Sequence, residues 1–133
     1  MLPRLLLDTH VLLRWLGDAR KLSGEQTRVI DAALRNAEPL AVSAISLLEI
    51  AVLAGDGKLR IKTSLEEFFE DLAGNPVFRI LPLNFEVASD VALLSSLRDP
   101  ADRVIVASAR VNRLRLVTSD QRIVGSNLVP VVD

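Results

Sequence analysis

Leu5-Leu6-Leu7-Asp8-Thr9-His10 is the stretch that decides the fold of this chain. Three consecutive leucines are typical of a strand that is buried on both faces, and such strands occur in parallel sheets. A carboxylate follows directly, where the strand is expected to end. Ligands of open α/β sheets bind beyond the carboxyl ends of the strands, so Asp8 is a candidate site residue. Asp8 is equally suited to cap the next helix, because aspartate is a favoured N-cap residue.

Apolar runs and amphipathic segments alternate along the rest of the chain. The apolar runs predict buried strands at residues 40–43, 78–81 and 114–118, and an edge strand at 128–132. The amphipathic segments predict helices at 11–16, from Ser23 onward, from Ser46 to about Gly55 or Gly57, from Ser64 to Gly74, at 85–97 and at 103–112. Strands that alternate with helices form a parallel sheet with helices on both faces. We therefore expect a three-layer α/β/α fold around a central parallel sheet of four to five strands.

The composition is that of an ordinary globular protein. The 133 residues are half hydrophobic and a quarter charged, with a net charge of −1, so we expect one domain spanning residues 1–133. The chain has no cysteine, which excludes a disulfide or a thiolate zinc site and fits a reducing cytoplasm. We expect no signal peptide and no association with a membrane, since no segment approaches the roughly 20 apolar residues of a membrane span.

Four acidic residues occupy equivalent places in this pattern. Asp8 and Asp120 follow the first and fourth predicted strands, and Glu49 lies in the first turn of the helix after the second strand. Because parallel strands point the same way, we expect these three acids to meet at one edge of the sheet. Asp102 lies in the first turn of the helix that leads back into the fourth strand, so it is expected at or near the same edge.

A cluster of four carboxylates needs protons or cations to neutralise it. Two unit charges about 4 Å apart repel by roughly 4 kcal/mol at an effective dielectric constant near 20. Ligands that offer only oxygen favour Mg²⁺ or Mn²⁺ over zinc, and these ions support hydrolysis of phosphodiesters. Helix capping is the alternative explanation, because Ser46 with Glu49, and Asp99 with Pro100 and Asp102, have the spacings of N-terminal caps. The two roles do not exclude each other.

Four ordered motifs of this chain resemble those of the PIN-domain ribonucleases. They are Leu-Leu-Asp8-Thr9-His10, Ser43-Ala-Ile-Ser46-Leu-Leu-Glu49-Ile, Asp99-Pro-Ala-Asp102-Arg103-Val-Ile-Val-Ala-Ser-Ala and Leu-Val-Thr118-Ser-Asp120. Their order and spacing are similar to those of the VapC-like toxins of bacterial toxin–antitoxin pairs, over nearly the whole chain. The chain departs from that pattern at Arg98, shortly before Asp102, and this difference concerns local RNA contacts and not the metal site.

The resemblance implies a PIN-like fold and a metal-dependent endoribonuclease. Mg²⁺ or Mn²⁺ would be held by acids that match Asp8, Glu49, Asp102 and Asp120. Asp8 and Asp102 would hold the principal metal, Glu49 would orient or deprotonate the attacking water, and Asp120 would complete the metal cup or a second site. The resemblance also implies cleavage of single-stranded RNA, a homodimer, and a cognate VapB-like antitoxin that blocks the site.

Several further residues are expected to support this site. Thr9 and Thr118 match small hydroxyl residues of the family, and Arg103, beside Asp102, is placed to contact a phosphate. By the family spacing, Asp102 is the ligand and Asp99 is the cap. His10, the only histidine, is expected to pack or hydrogen-bond in the first helical turn, with general-base catalysis as its alternative role.

Two other functions are compatible with the sequence. The first is a phosphohydrolase that uses Asp8 as its nucleophile, although such enzymes carry a second aspartate two residues later and this chain has His10 there. The second is a PIN-like module that binds RNA or protein without cleavage. The apolar first helix, with Trp15 and Leu16, is mostly core, and any exposed part of it is expected to receive an amphipathic helix of a partner.

Overall fold

The computed structural model describes residues 1–133, and its centre is a five-stranded parallel sheet. The strands are β1 (Leu5–Leu7), β2 (Leu40–Ser43), β3 (Phe78–Leu81), β4 (Arg115–Val117) and β5 (Val131–Val132). Their order is β3-β2-β1-β4-β5, and every neighbouring pair is parallel. The predicted sheet is therefore confirmed, although β4 and β5 are shorter than expected. Its first strand lies in the centre, which explains the unbroken run of leucines.

Helices cover both faces of the sheet. They are α1 (Thr9–Leu16), α2 (Gly24–Arg35), α3 (Ala44–Gly55), α4 (Leu65–Gly74), α5 (Phe85–Val91), α6 (Pro100–Val111) and α7 (Gln121–Val124), with a 3₁₀ turn at Ala19–Lys21. Leu5 and Leu7 belong to a core on one face, with residues of α1, α2 and α4. Leu6 belongs to a second core on the other face, with residues of α5, α6 and α7. The three-layer α/β/α prediction is confirmed.

The start of α3 differs from the prediction. The helix begins at Ala44 because Ser43, the last residue of β2, caps it directly: the Ser43 Oγ accepts a hydrogen bond of 3.2 Å from the Ile45 N–H. The proposed capping box of Ser46 and Glu49 is therefore wrong. Both residues lie inside the helix, and Glu49 is in its second turn rather than its first.

Other helix bounds also differ from those predicted. The helix expected at 85–97 ends at Val91, and turns continue to Leu97, so that Leu94 and Leu97 reach the second core from non-helical backbone. Helix α1 begins two residues earlier than expected because Asp8 caps it, and α6 begins at Pro100 because Asp99 caps it. None of the helices is long and apolar enough to cross a membrane.

Candidate functional site

A cavity of about 230 Å³ at the carboxyl edge of β1 and β4 contains all four predicted acids. The acids come from four places: the end of β1, the second turn of α3, the first turn of α6 and the loop after β4. The residues that line it are Asp8, Thr9, His10, Leu13, Glu49, Leu53, Asp99, Asp102, Asp120 and Arg122. The structure thus brings together side chains that are widely separated in the sequence.

Asp8 is buried at the floor of the site and is held through both carboxylate oxygens. Its Oδ1 accepts a hydrogen bond of 2.8 Å from the Thr9 N–H, and its Oδ2 accepts one of 2.7 Å from the Thr118 hydroxyl. Only 4% of the residue is exposed. Asp8 is therefore both the cap of α1 and a lining residue of the cavity, so the two alternatives drawn from the sequence are both met.

Glu49 is tied to the start of α1 by hydroxyl groups. Thr9 Oγ1 lies 2.5 Å from Glu49 Oε1 and 2.8 Å from the Oγ of the buried Ser46. Burial raises the pKa of Glu49; the charges of Asp8 and Asp99 add to this effect, and the hydrogen bond from Thr9 opposes it. The sequence interpretation missed the contact of Ser46 with Thr9, although its spacing of three from Glu49 places both residues on one face of a helix.

Asp102 and Asp120 face the same arginine but respond differently. Arg122 Nη2 lies 2.9 Å from Asp120 Oδ2 and 3.5 Å from Asp102 Oδ2. The close hydrogen bond from Arg122 lowers the pKa of Asp120. Burial raises the pKa of Asp102 to about 6, with additional repulsion from Asp99, Asp120 and Asp8. Arg122 was not singled out in the sequence because the short helix α7, which carries it, was not predicted.

His10 connects the first helix to the loop that carries Asp120. Its Nε2 accepts a hydrogen bond of 2.9 Å from the Ser119 N–H, and its Nδ1 lies 3.5 Å from Asp8 Oδ2. Ser119 Oγ in turn accepts a hydrogen bond of 3.0 Å from the fully buried Gln26. Burial lowers the pKa of His10, which agrees with an Nε2 that accepts a hydrogen bond. The expectation that His10 makes a hydrogen bond is confirmed.

Of the two remaining candidates, Asp99 lines the acid cavity and Arg103 does not. Asp99 caps α6, as expected, through a hydrogen bond of 2.8 Å from the Ala101 N–H to its Oδ1, and it also lines the cavity. Arg103 does not line the cavity, because its Nε donates to the Leu97 carbonyl oxygen and its side chain is directed to that turn. In this structure Arg122, rather than Arg103, is the arginine at the acid cluster.

The donor set was tested against the divalent cation that the resemblance implies. The lining groups offer carboxylate oxygens and no sulfur, which suits Mg²⁺ or Mn²⁺, and their five acids face a single arginine, which leaves negative charge that a cation would offset. No three histidine or acidic side chains lie close enough to form a coordination group as they stand. The residues fit the ion by chemistry, while their positions are those of hydrogen-bonded and ion-paired carboxylates.

Comparison with known proteins identifies the family of this chain. Residues 5–124 match the family model of the PIN domain. The chain is 37% identical over 120 residues to Ribonuclease VapC22 of Mycobacterium tuberculosis, a match that covers 89% of this chain and 88% of that protein.

Solved structures show the same architecture. FitAcB from Neisseria gonorrhoeae is similar with a TM-score of 0.65 and 26% identity, over 97% of this chain and 96% of that one. VapBC2 from Rickettsia felis, solved with a DNA fragment from their promoter, is similar in fold with a TM-score of 0.70 and 14% identity, over 98% and 97% of the two chains. From the family match and the sequence identity together, the chain belongs to the PIN-domain family and is a homologue of a VapC ribonuclease.

Proposed function

We propose that this protein is a metal-dependent endoribonuclease that hydrolyses phosphodiester bonds of RNA and acts as the toxin of a toxin–antitoxin pair. The observation that carries the proposal is the convergence of Asp8, Glu49, Asp102 and Asp120 on one cavity. Four acids that served only as helix caps would not need to share a cavity. The relation to Ribonuclease VapC22 supports RNA as the substrate class.

Mg²⁺ or Mn²⁺ would be held by Asp8, Glu49, Asp102 and Asp120. When bound, such an ion supplies positive charge that activates water and stabilises charge on a phosphodiester. Thr118 supports this role, because its hydroxyl bonds to Asp8 Oδ2 and at the same time accepts a hydrogen bond of 3.1 Å from the Asp120 N–H. One threonine thus fixes the positions of two proposed ligands relative to each other.

Glu49 would orient the attacking water and accept its proton. Its Oε1 is occupied by the Thr9 hydroxyl, and its Oε2 makes no hydrogen bond within the protein, so Oε2 is the atom available to a water. The raised pKa of Glu49 makes it a stronger base than an exposed glutamate. Thr9 and Ser46 would act by fixing the direction of the Glu49 side chain, and they would not touch the substrate.

A direct test compares the parent with Asp8→Asn and Asp102→Asn on a panel of single-stranded RNAs with Mn²⁺, with EDTA, and with Mn²⁺ restored. We expect cleavage by the parent only when the metal is present, and none by either variant. Circular dichroism and thermal unfolding show whether the variants are folded. Cleavage by folded Asp8→Asn at the parental rate would refute the site, and a parent that cleaves no RNA would favour a PIN-like binding module.

The phosphohydrolase alternative predicts a different outcome. It requires a second acid two residues after the nucleophile, and this chain has His10 at that position, with its Nε2 already accepting a hydrogen bond from the Ser119 N–H. A covalent mimic formed on Asp8 by beryllofluoride would support this alternative. We expect no such adduct.

An antitoxin would bind the apolar surface that begins at α1. Two cavities of about 290 and 200 Å³ share Leu16 and Phe68, and the first of them also contains Leu13, which lines the acid cavity. Leu16 is 45% exposed, as an unfilled partner site requires. An amphipathic helix in this groove would lead the antitoxin chain directly to the acids.

The groove and the oligomeric state can be tested separately. We expect Leu16→Glu to abolish copurification with the antitoxin and to leave RNA cleavage intact; retained copurification would exclude the groove. The homodimer is proposed on the family likeness, and sedimentation equilibrium of the isolated protein measures it. The cytoplasmic location also stays a prediction.

A further inference from the structure

A second cavity adjoins the acid cavity and has no role in the mechanism above. It has a volume of about 350 Å³ and shares Asp102 and Arg122 with the acid cavity, so the two are separated only by these side chains. Its other polar side chains are those of Ser96, Arg98 and Ser126. Its size falls within the lower part of the range typical of small-ligand sites.

Arg98 is the unassigned charge of this second cavity. The residue is exposed and makes no ion pair or side-chain hydrogen bond within the protein. This distinguishes it from Arg103, which bonds to a backbone carbonyl, and from Arg122, which bonds to Asp120. An unpaired guanidinium beside a nuclease centre has the geometry to bind a phosphate through two parallel hydrogen bonds.

The position of the cavity indicates what it would bind. RNA is a polymer, so a nucleotide on one side of the scissile bond must occupy space next to the acid cavity. No aromatic residue lines the second cavity, so it offers no aromatic ring on which a base could stack. Contacts from arginine and serine to phosphate and ribose position a strand without reading its sequence.

We propose, on the basis of the proposed function, that the second cavity binds the nucleotide next to the scissile phosphodiester, with Arg98 paired to the phosphate of that nucleotide. Ser96, an exposed residue, lines the same cavity, and its hydroxyl makes no hydrogen bond within the protein that would keep it from the ribose or phosphate. The subsite accepts any base. Arg98 is therefore a positioning residue for the substrate and takes no part in bond cleavage.

Cleavage of RNAs of increasing length tests this subsite. Substrates are shortened one nucleotide at a time on each side of the mapped cleavage position. For the parent, the one nucleotide that fills the cavity raises kcat/KM about tenfold, the value of one charge-assisted phosphate contact. In Arg98→Ala the same nucleotide raises kcat/KM less than threefold, and the difference from the parent lies mostly in KM. Arg98→Lys recovers part of the increase in kcat/KM. Changing the base of that nucleotide has less than a threefold effect.

Arg35→Ala is the matched control. Arg35 is an exposed arginine at the carboxyl end of α2. The amino end of the same helix is the end near the site, because Gln26 there donates a hydrogen bond to Ser119, so Arg35 is at the end away from the site. The control keeps the parental dependence on substrate length. Equal length dependence in Arg98→Ala and Arg35→Ala would overturn the subsite, and a strong preference for one base there would overturn its mode of binding.

Binding without cleavage separates this proposal from the proposed function. In the Asp8→Asn background, fluorescence anisotropy measures the affinity for a labelled RNA as salt is increased. Adding Arg98→Ala lowers the slope of log affinity against log salt by about 0.7, the value for one phosphate contact on a single strand. An unchanged slope in a parent that cleaves RNA overturns the subsite alone. A parent that neither binds nor cleaves RNA overturns both proposals.

Discussion

The cavity at Asp8 and the cavity at Asp90 contain charged residues in opposite arrangements. The first, at the carboxyl edge of the sheet, has five acids and one arginine. The cavity at Asp90, at the amino edge, has a volume of about 540 Å³ and is lined by one acid, Asp90, and three arginines. Asp90 is bonded by two nitrogens of Arg110 at 2.8 and 3.3 Å, and a third nitrogen of that arginine donates to the Leu128 carbonyl oxygen.

The difference shows how a structural charge can be distinguished from a functional one. The Asp90 pair satisfies its own hydrogen bonds and stabilises the packing of α5 on α6, so Asp90 has a structural role. The acids around Asp8 outnumber the single arginine in their cavity, and burial together with repulsion by neighbouring acids raises the pKa values of Glu49 and Asp102. The chemistry of the lining, and not the volume, marks the site.

The largest expected effect is the loss of RNA cleavage in Asp8→Asn, which distinguishes the cavity at Asp8 from the cavity at Asp90. Asp8→Asn removes the charge but keeps an oxygen for the Thr9 N–H, so we expect a folded protein whose kcat falls by about 10³-fold or more. Asp90→Asn is the matched control at the other cavity, and its activity per folded molecule should equal that of the parent. Single-turnover cleavage of one RNA by all three proteins makes the comparison. Equal losses in both variants would remove the distinction.

The second largest expected effect is that of Asp90→Asn on the free energy of unfolding. Asp90→Asn leaves the half-buried Arg110 with one neutral partner in place of a carboxylate, which should lower the free energy of unfolding by about 2 kcal/mol. Urea unfolding followed by circular dichroism measures this loss. A variant as stable as the parent would show that the ion pair makes no net contribution.

The third prediction concerns the position of the Asp120 loop. His10→Ala removes the acceptor of the Ser119 N–H, and we expect kcat to fall about tenfold because the loop no longer holds Asp120 in place. His10→Gln supplies an amide oxygen at a similar reach and should recover most of the rate. A general base would behave differently, since glutamine cannot accept a proton at neutral pH. Failure of His10→Gln to recover any activity would therefore favour catalysis by His10.

The sequence was sufficient to predict the sheet and the meeting of four acids in one cavity. Uninterrupted apolar strands and acids just after them were visible because the parallel arrangement repeats the same local pattern. The contacts made by Ser46 and Arg122 were not predicted for two different reasons. The start of α3 depended on whether Ser43 or Ser46 was the cap, and both serines have suitable chemistry. Helix α7 has only four residues, too few for a periodic signal.

Arg103 shows a further limit of prediction from position alone. Its neighbour Asp102 lies in the cavity, but adjacent residues on a helix point in directions about 100° apart. Which of them faces the site depends on how α6 packs against the sheet, and this packing is a tertiary property. The side chain of Arg103 instead binds the carbonyl oxygen of Leu97, in the turns that follow α5.

The smallest expected effect is that of Asp102→Asn, which should raise the free energy of unfolding where Asp90→Asn lowers it. The pKa of Asp102 is raised from 3.8 to about 6 in the folded protein, so its charged form is less favourable there than in the unfolded chain. The resulting cost to stability is absent below pH 4, develops as the pH rises to about 6, and is complete above that. Asp102→Asn should therefore stabilise the metal-free protein at pH 7.5 by about 1 kcal/mol, after allowance for solvent screening, and should have no such effect at pH 4.

Thermal unfolding in EDTA at the two pH values measures this gain, and Mn²⁺ provides a second comparison. Added Mn²⁺ should raise the Tm of the parent more than that of Asp102→Asn, because an ion that binds only the folded state stabilises it in proportion to its affinity. If Asp102→Asn were destabilising at pH 7.5 in EDTA, the attraction of Asp102 to Arg122 would outweigh both the burial of Asp102 and its repulsion by the neighbouring acids. The cavity at Asp8 would then be a balanced ion-pair network like the pair at Asp90, and the main electrostatic argument for a cation would be lost.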